Sequence, residues 1–217
     1  MVKRGFTLIE LIFAIIVVSI AMLALPALFS AASRSTEEVL KDEATFQGFR
    51  TAGVILTYAW DEASINPETN TSFILDTSAG DAELGRSALD PLYRIGNFYL
   101  GKKRRFFDNP TFASTTLGME ANETTPDDID DFNGSVEPIT SALMDVNVST
   151  TVRYNSDSAA YSFQTLGFTF GTAAPAGTTS IKQISVSVVD KDGNTILTYS
   201  AFATNTGTTP IKTRIYK

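Results

Sequence analysis

The sequence predicts an α+β protein in which a long N-terminal helix packs on a mainly antiparallel β-sheet. Three observations carry this prediction. An apolar segment without formal charge occupies residues 11–32, a helical repeat of apolar residues follows over residues 34–63, and short alternating segments separated by turn residues fill the remainder. One long helix followed by a run of strands is typical of the α+β class.

Composition excludes several kinds of chemistry before any motif is considered. The 217 residues include no cysteine and no histidine. Disulfides, thiolate nucleophiles, imidazole metal sites and histidine-based triads are therefore excluded, and any bound metal must have oxygen ligands. The net charge of −7 gives no general reason to expect a nucleic acid or an anionic lipid surface as a partner.

The first element is a membrane-spanning helix. Residues 11–32 are 22 consecutive residues without a formal charge, and about 20 helical residues cross a hydrocarbon core of roughly 30 Å. Three interpretations compete: a signal peptide cleaved after Ala32, a plain anchor whose Lys3 and Arg4 stay in the cytoplasm, and a processed segment that uses Glu10. The first two leave Glu10 unexplained, because a carboxylate deep in the membrane costs about 2.5 to 3.5 kcal/mol.

The stretch "KRGFTLIE", residues 3–10, supports the third interpretation. It resembles the prepilin signature of type IV pilins and type II secretion pseudopilins, which a dedicated prepilin peptidase cuts and methylates. The resemblance implies cleavage between Gly5 and Phe6, N-methylation of Phe6, and pairing of Glu10 with the N-terminal amine of a neighbouring subunit. It also implies other pilin subunits and the inner membrane as partners, with Ser19 departing from the glycine that many relatives carry.

The resemblance organises the chain into four parts. Residues 1–5 are the leader, 6–33 the transmembrane and assembly helix, 34–63 an amphipathic helix, and 64–217 a β-rich pilin domain. This order implies a single-pass inner-membrane protein whose C-terminus lies in the periplasm before the subunit enters a filament at the cell surface.

The second half of the helix carries an apolar stripe that we expect to pack on the sheet. The stripe recurs at steps of seven, three, four, three and four residues, as expected for one face of a helix. Pro67 and the polar residues around it should end the helix. The members of the stripe are Val39, Phe46, Phe49, Gly53, Leu56 and Trp60.

The remaining chain reads as strands and turns. Alternating apolar residues predict half-buried strands over 146–154 and 184–188, and "DKDGN", residues 190–194, predicts a hairpin turn before a returning strand at 195–203. Further strand candidates are residues 93–100, 161–170 and, more weakly, 211–216.

An acidic run at residues 125–135 is the only metal candidate that we single out, and no catalytic constellation accompanies it. Ca²⁺ takes six to eight oxygen ligands, and crowded carboxylates repel one another without a cation. The competing interpretation is a solvated acidic turn, since the spacing is not that of an EF-hand loop. The predicted calcium ligands are Asp127, Asp128, Asp130, Asp131 and Asn133.

The sequences "DDIDDFNG" and "IKQISVSVVDKDGNTI" resemble minor pilins of the mannose-sensitive haemagglutinin type. This likeness, and the absence of the disulfide usual in major pilins, imply a minor pilin or pseudopilin that primes, caps or decorates a filament and is not an enzyme. The alternative is a filament-tip adhesin or a DNA-binding module, for which the basic segment "KKRRFF", residues 102–107, is the candidate surface.

Four Asn-x-Ser/Thr sequences each have an acidic residue two positions before the asparagine, at Asn70, Asn122, Asn133 and Asn147. The extended pattern resembles the acceptor preference of the bacterial oligosaccharyltransferase. Asn70 and Asn122 are the predicted glycan sites, because they fall in expected loops; chance in a chain rich in acids, serine and threonine is the competing explanation.

Overall fold

The computed structural model describes residues 7–68, 70–94, 104–121, 123–140, 145–161, 167 and 169–207. The chain divides into two compact units, Met1–Ala44 and Thr45–Lys217. Helix α1, Leu8–Ile55, supplies the described part of the first unit and continues into the second. The α+β class predicted from the sequence is confirmed: one long N-terminal helix is combined with antiparallel sheets.

The N-terminal half of α1 has the length and apolar composition of a membrane span. Its apolar side chains are exposed throughout, from Leu8 to Phe29. Pro26 lies inside the helix, where its ring removes one backbone donor without ending the helix. A long apolar surface of this kind requires lipid or protein around it.

Helix α1 ends at Ile55, eight residues before the predicted end. The last turn tightens: the N–H groups of Thr57 and Tyr58 donate to the carbonyls three residues earlier, at 3.0 and 3.1 Å. Ala59 then forms a parallel bridge with Asp128, and Trp60 is buried outside the helix. The periodicity continues past Ile55, but contacts with distant residues decide where the helix stops.

The main sheet is a four-stranded antiparallel meander in the order β3-β4-β5-β6. Its central strands, β4 (Asp145–Asn155) and β5 (Ile181–Asp190), pair along ten residues, and β6 (Thr195–Thr204) pairs with β5. Strand β3, Val136–Thr140, lies at an edge of the sheet. Pro138 is tolerated there because an edge strand pairs on one side only, so the missing N–H of proline need not interrupt the hydrogen bonds between strands. A small hairpin of β1, Ile65–Asn66, and β2, Thr71–Ser72, precedes the sheet.

The predicted strands at 146–154 and 184–188 and the hairpin at 190–194 are confirmed. In the hairpin, Asp190 Oδ1 accepts N–H groups from Asp192 and Asn194 at 2.9 and 2.8 Å, and Gly193 has a φ of +88°. The candidates at 93–100 and 211–216 lie wholly or mostly outside the described residues. Of the 161–170 candidate, the described residues form only an isolated bridge between Phe170 and Asp157.

The face of α1 that packs on the sheet is not the predicted stripe. Gly48, Ala52 and Ile55 are buried, while Trp60 is the only member of the stripe that is buried. The prediction was wrong because the sheet needs a close approach: a Cβ on Gly48 would lie 3.0 Å from the Tyr199 ring and 3.3 Å from Val188. The exposed members are Val39 (46 %), Phe46 (60 %), Phe49 (68 %), Leu56 (45 %) and Gly53.

The long connection between β2 and β3 has its own polar anchor. Arg86 forms a bidentate ion pair with Asp76, with Nε–Oδ1 and Nη2–Oδ2 distances of 2.7 Å, and its carbon Cζ lies 4.6 Å from the centroid of the buried Phe106 ring. The same guanidinium donates to the carbonyls of Pro91 and Phe107. One planar group with five donors thus holds several turns of irregular chain.

The close helix-sheet contact predicts opposite effects at two glycines of α1. Gly48→Leu should lower the free energy of unfolding by about 1 to 3 kcal/mol, because the side chain must displace Tyr199 and Val188. Gly53→Leu should leave it unchanged or raise it by up to about 1 kcal/mol, because nothing lies within 4 Å of a Cβ there and leucine favours helix. Urea unfolding of the detergent-solubilised chain, followed by fluorescence of the single tryptophan, measures both; equal effects would contradict the packing described.

Candidate functional site

The N-terminal processing site lies mostly outside the described residues. Gly5 and Phe6 are not among them, so cleavage and methylation there stay predictions. Glu10 lies in the first turn of α1, with its side chain exposed and its N–H donating to the carbonyl of Thr7 at 3.0 Å. An exposed carboxylate beside apolar side chains is available to a cation on another chain.

The acidic run forms a turn whose carboxylates point into the protein. Asp130–Phe132 is one turn of 3₁₀ helix, and Asp128, Asp130 and Asp131 are all buried. A solvated acidic turn, the competing interpretation from the sequence, is therefore wrong for three of the four aspartates. Asp127 alone is exposed. Buried carboxylates need hydrogen-bond donors or counter-charges, and the structure supplies both.

Backbone N–H groups satisfy two of these carboxylates. Asp131 Oδ2 accepts the N–H groups of Asp127 and Asp128 at 2.8 and 3.2 Å. Asp128 Oδ1 accepts those of Asp130 and Asp131 at 2.7 and 3.3 Å, and its Oδ2 accepts that of Glu62 at 2.8 Å. The turn is thus held by its own side chains and tied to the segment that follows α1.

Lys182, on the central strand β5, supplies the counter-charge and is itself completely buried. Its Nζ contacts Asp130 Oδ1, donates to the carbonyl of Trp60 at 2.6 Å, and lies 3.6 Å from Asp61 Oδ2. The Trp60 and Tyr154 rings cover the ammonium, with centroids 4.4 and 5.7 Å from Nζ. We name Lys182, Asp61, Asp128 and Asp130 the buried charge cluster.

The pKa values of the acids and of Tyr154 in the cluster are shifted mainly by burial and to a smaller extent by neighbouring charges. Desolvation raises the pKa of Asp130 to about 8, and the Asp128 carboxyl beside it adds to the rise that Lys182 opposes. Desolvation also raises the pKa of Asp128, again against the effect of Lys182. Burial, with the charges of Asp61 and Asp130, raises the pKa of Tyr154 well above its usual value.

The five predicted calcium ligands are not brought together around one point. Asp128 and Asp130 belong to the buried charge cluster, and Asn133 uses both ends of its amide: Nδ2 donates to the carbonyl of Leu117 at 3.1 Å and Oδ1 accepts the N–H of Val152 at 3.0 Å. Among the residues that the structure describes, two other groups of acids could hold a cation, each with carboxylate oxygens within 4.8 Å of one another. They are Glu62, Glu123 and Asp127, and Glu120, Glu123 and Asp131.

Mutual repulsion is visible in these two acidic triads. Desolvation raises the pKa of Glu62 and of Asp127, and the nearby Glu123 carboxylate raises both further. A hydrogen bond with the Glu120 side chain raises the pKa of Glu123. A cation would relieve this repulsion, so calcium binding stays a prediction; Glu123, which was not among the ligands predicted from the sequence, is common to both triads.

The predicted glycan acceptors differ in accessibility. Asn70 is exposed in the β1–β2 hairpin with a φ of +48°, and its N–H donates to the carbonyl of Asn66. Asn122 lies outside the described residues, Asn147 is exposed on β4, and the Asn133 amide is fully engaged. Among the described acceptors, Asn70 best fits a transferase that needs an accessible loop, and its modification stays a prediction.

Residues 105–107, in the described part of the basic segment, make packing and ionic contacts within the protein. Arg105 lies 3.4 Å from Asp108 and its Cζ is 4.8 Å from the Phe73 ring centroid, while Phe106 is buried and Phe107 contacts Phe73. Lys102 and Lys103 lie outside the described residues. Nothing in residues 104–107 therefore favours a nucleic-acid surface over a structural role.

Lys182 and Asp61 are the site residues that sequence reasoning missed. A signal for Lys182 was present: it has the same alternation as Ile184, Val186 and Val188, all of which face the core. A charged residue at an inward position of a central strand predicts a buried counter-charge. No local pattern marks Asp61, because its partners Ser114 and Lys182 are far away in sequence.

The acidic triads predict a calcium response that depends on Glu123. Millimolar Ca²⁺ should raise the melting temperature of the full chain relative to chelator, because an ion bound only by the folded state stabilises it, by about 2.7 kcal/mol at a hundredfold excess over Kd. Glu123→Gln should remove the shift, whereas Glu137→Gln, an exposed acid on β3, should keep it. If the unaltered chain shows no heat of binding and no melting shift at millimolar Ca²⁺, the site is ruled out.

Comparison with known proteins assigns the N-terminal segment. Residues 1–26 match the family model described as the prokaryotic N-terminal methylation motif. No curated protein and no solved structure matches the chain. The match supports the type IV pilin-like family, which is structural and whose N-terminal segment associates with other pilin subunits and with the membrane.

Proposed function

We propose that the chain is a minor pilin or pseudopilin, a structural subunit that primes, caps or decorates a type IV pilus or a type II secretion pseudopilus. One observation carries the proposal: a methylation motif is followed without interruption by a 48-residue helix whose apolar N-terminal half is exposed. Such a surface suits lipid before assembly and neighbouring helices after it. The subtype that we propose is that of the mannose-sensitive haemagglutinin pilus, because the sequences of the acidic turn and of the β5–β6 hairpin resemble those of its minor pilins.

Glu10 is proposed to set the register between subunits. A prepilin peptidase would cut after Gly5 and leave a positive amine on Phe6, four residues before the carboxylate. In an apolar bundle an unpaired carboxylate is costly, so each Glu10 would pair with the amine of a neighbour. One charged pair in an otherwise apolar interface also opposes sliding, as a buried polar residue does in a coiled coil.

The exposed stripe on the C-terminal part of α1 supports a second contact between subunits. Phe46 and Phe49 have exposed fractions of 60 and 68 %, and Leu56, directly after the helix, is 45 % exposed. Large aromatic side chains left in water at helical spacing mark a surface that another apolar surface covers. We propose that this surface is another subunit of the filament.

Replacement of Glu10 tests the register. Glu10→Ala should be processed and inserted into the membrane at the normal level but should enter filaments several-fold less, because the neighbour's amine would lie unpaired. Glu37→Ala, which removes another exposed acid of the same helix, is the control and should assemble normally. Terminal sequencing should find N-methyl-Phe6; a mature chain that begins at Ser33 would overturn the proposal.

Replacement of the stripe tests the second contact. The double change Phe46→Ser and Phe49→Ser should reduce incorporation into filaments while the melting temperature changes little, because both rings are largely exposed. Leu89→Ser is the matched control, since Leu89 is 99 % exposed and lies off the helix. Quantification of filament-associated against membrane-associated subunit separates the outcomes, and undiminished incorporation of the double variant would contradict a subunit contact at this stripe.

A further inference from the structure

The stability of the core does not by itself explain the buried charge cluster. Lys182 is completely buried, Asp130 is 1 % exposed, and the two side chains contact each other, with the Lys182 Nζ 4.4 and 5.7 Å from the Trp60 and Tyr154 ring centroids. Replacement of an ion pair by apolar residues is often neutral or stabilising, so a buried pair is weak support for a purely stabilising role. The arrangement also places an amine against a carboxyl group in a dry pocket.

We propose that Lys182 and Asp130 become joined by an intramolecular amide bond between Nζ of the lysine and Cγ of the aspartate. The reactants are already in contact, and held reactants react as if at effective concentrations of about 10⁵ to 10⁸ M. Both are fixed: Lys182 by its place on a central strand and by the Trp60 carbonyl, Asp130 by the 3₁₀ turn.

The bond forms without any further reactant. Nζ loses one proton to a neighbouring carboxylate and attacks Cγ of Asp130, and it loses a second as the C–N bond forms. One Asp130 oxygen leaves with two protons as water, and the third proton stays on the amide nitrogen. The balance is one ammonium plus one carboxylate giving one amide plus one water, so the net charge of the chain does not change. A neutral amide takes the place of two buried ions, which removes the cost of keeping both away from water.

Asp128 is the residue that would carry the protons. Its carboxyl lies beside that of Asp130, and three backbone N–H groups hold it in place. It can therefore exchange protons with the Asp130 carboxyl and supply one to the departing oxygen. Asp61 is the less suitable partner for the bond, because it lies 3.6 Å from Nζ and its two oxygens accept the N–H groups of Ala63 and Ser114.

The link would do for this chain what a disulfide does in others. The two residues are 52 positions apart, and the bond would tie the turn before β3 to the central strand β5. A cross-link that closes a long loop restricts the unfolded chain and so favours the folded one. The chain has no cysteine with which to make such a link in any other way.

Mass spectrometry of the unaltered full chain decides the proposal. The denatured protein should be lighter than its sequence by one water. Trypsin should fail to cut after Lys182, and the peptide of residues 106–153 should appear joined to that of residues 154–191, because Arg105, Arg153 and Lys191 are the flanking cleavage sites. Full mass with normal cleavage after Lys182 would overturn the proposal, whatever any variant does.

Variants assign the roles. Lys182→Arg and Asp130→Ala should both show the full mass, and Asp128→Asn should slow the loss of water while it keeps the side chain's shape. Lys191→Arg, at the exposed end of the same hairpin, should keep the link. If Lys182→Arg or Asp130→Ala still lost one water, the bond would lie elsewhere and the assignment would be wrong. If Asp128→Asn lost water at the same rate as the unaltered chain, Asp128 would not be the proton carrier.

Discussion

The position of Lys182 is the constraint on which the rest of the second unit depends. A fully buried ammonium must have acceptors on all sides, and it obtains them from the Trp60 carbonyl, Asp61 and Asp130. These groups come from two segments, which are distant in sequence from each other and from β5. The strand, the turn before β3 and the segment after α1 must therefore meet at one point, and removal of one charged partner from such a cluster costs about 3 to 5 kcal/mol.

The cluster also explains why α1 stops where it does. Trp60 must turn its carbonyl to Nζ and its ring over the ammonium, while its Nε1 donates to the carbonyl of Ala203 at 3.3 Å. Asp61 must reach Ser114 and cap the short 3₁₀ helix Glu62–Ser64. A helix continued to residue 63 could not present both residues to these partners, so it ends at Ile55 although the apolar period continues.

The helix separates two surfaces by side-chain size. The small residues Gly48 and Ala52 are buried, and Gly48 lies close to Val188 of β5 and Tyr199 of β6. The large apolar residues, Phe46 and Phe49 among them, are left on the outside. The exposed aromatic stripe therefore leaves this part of α1 with an apolar surface that another chain can cover.

The sequence by itself determined whatever depends on neighbours in the chain: the apolar helix with Glu10, the alternating strands β4 to β6, and the turn at Asp190–Asn194. These follow from charge, periodicity and turn chemistry over a few residues. Tertiary structure alone decided which face of α1 is covered, where the helix ends, and that the aspartate turn is buried. Each of these depends on contacts across many residues, such as Lys182 with Asp130, and a local pattern cannot show whether an apolar or acidic side chain finds a distant partner or water.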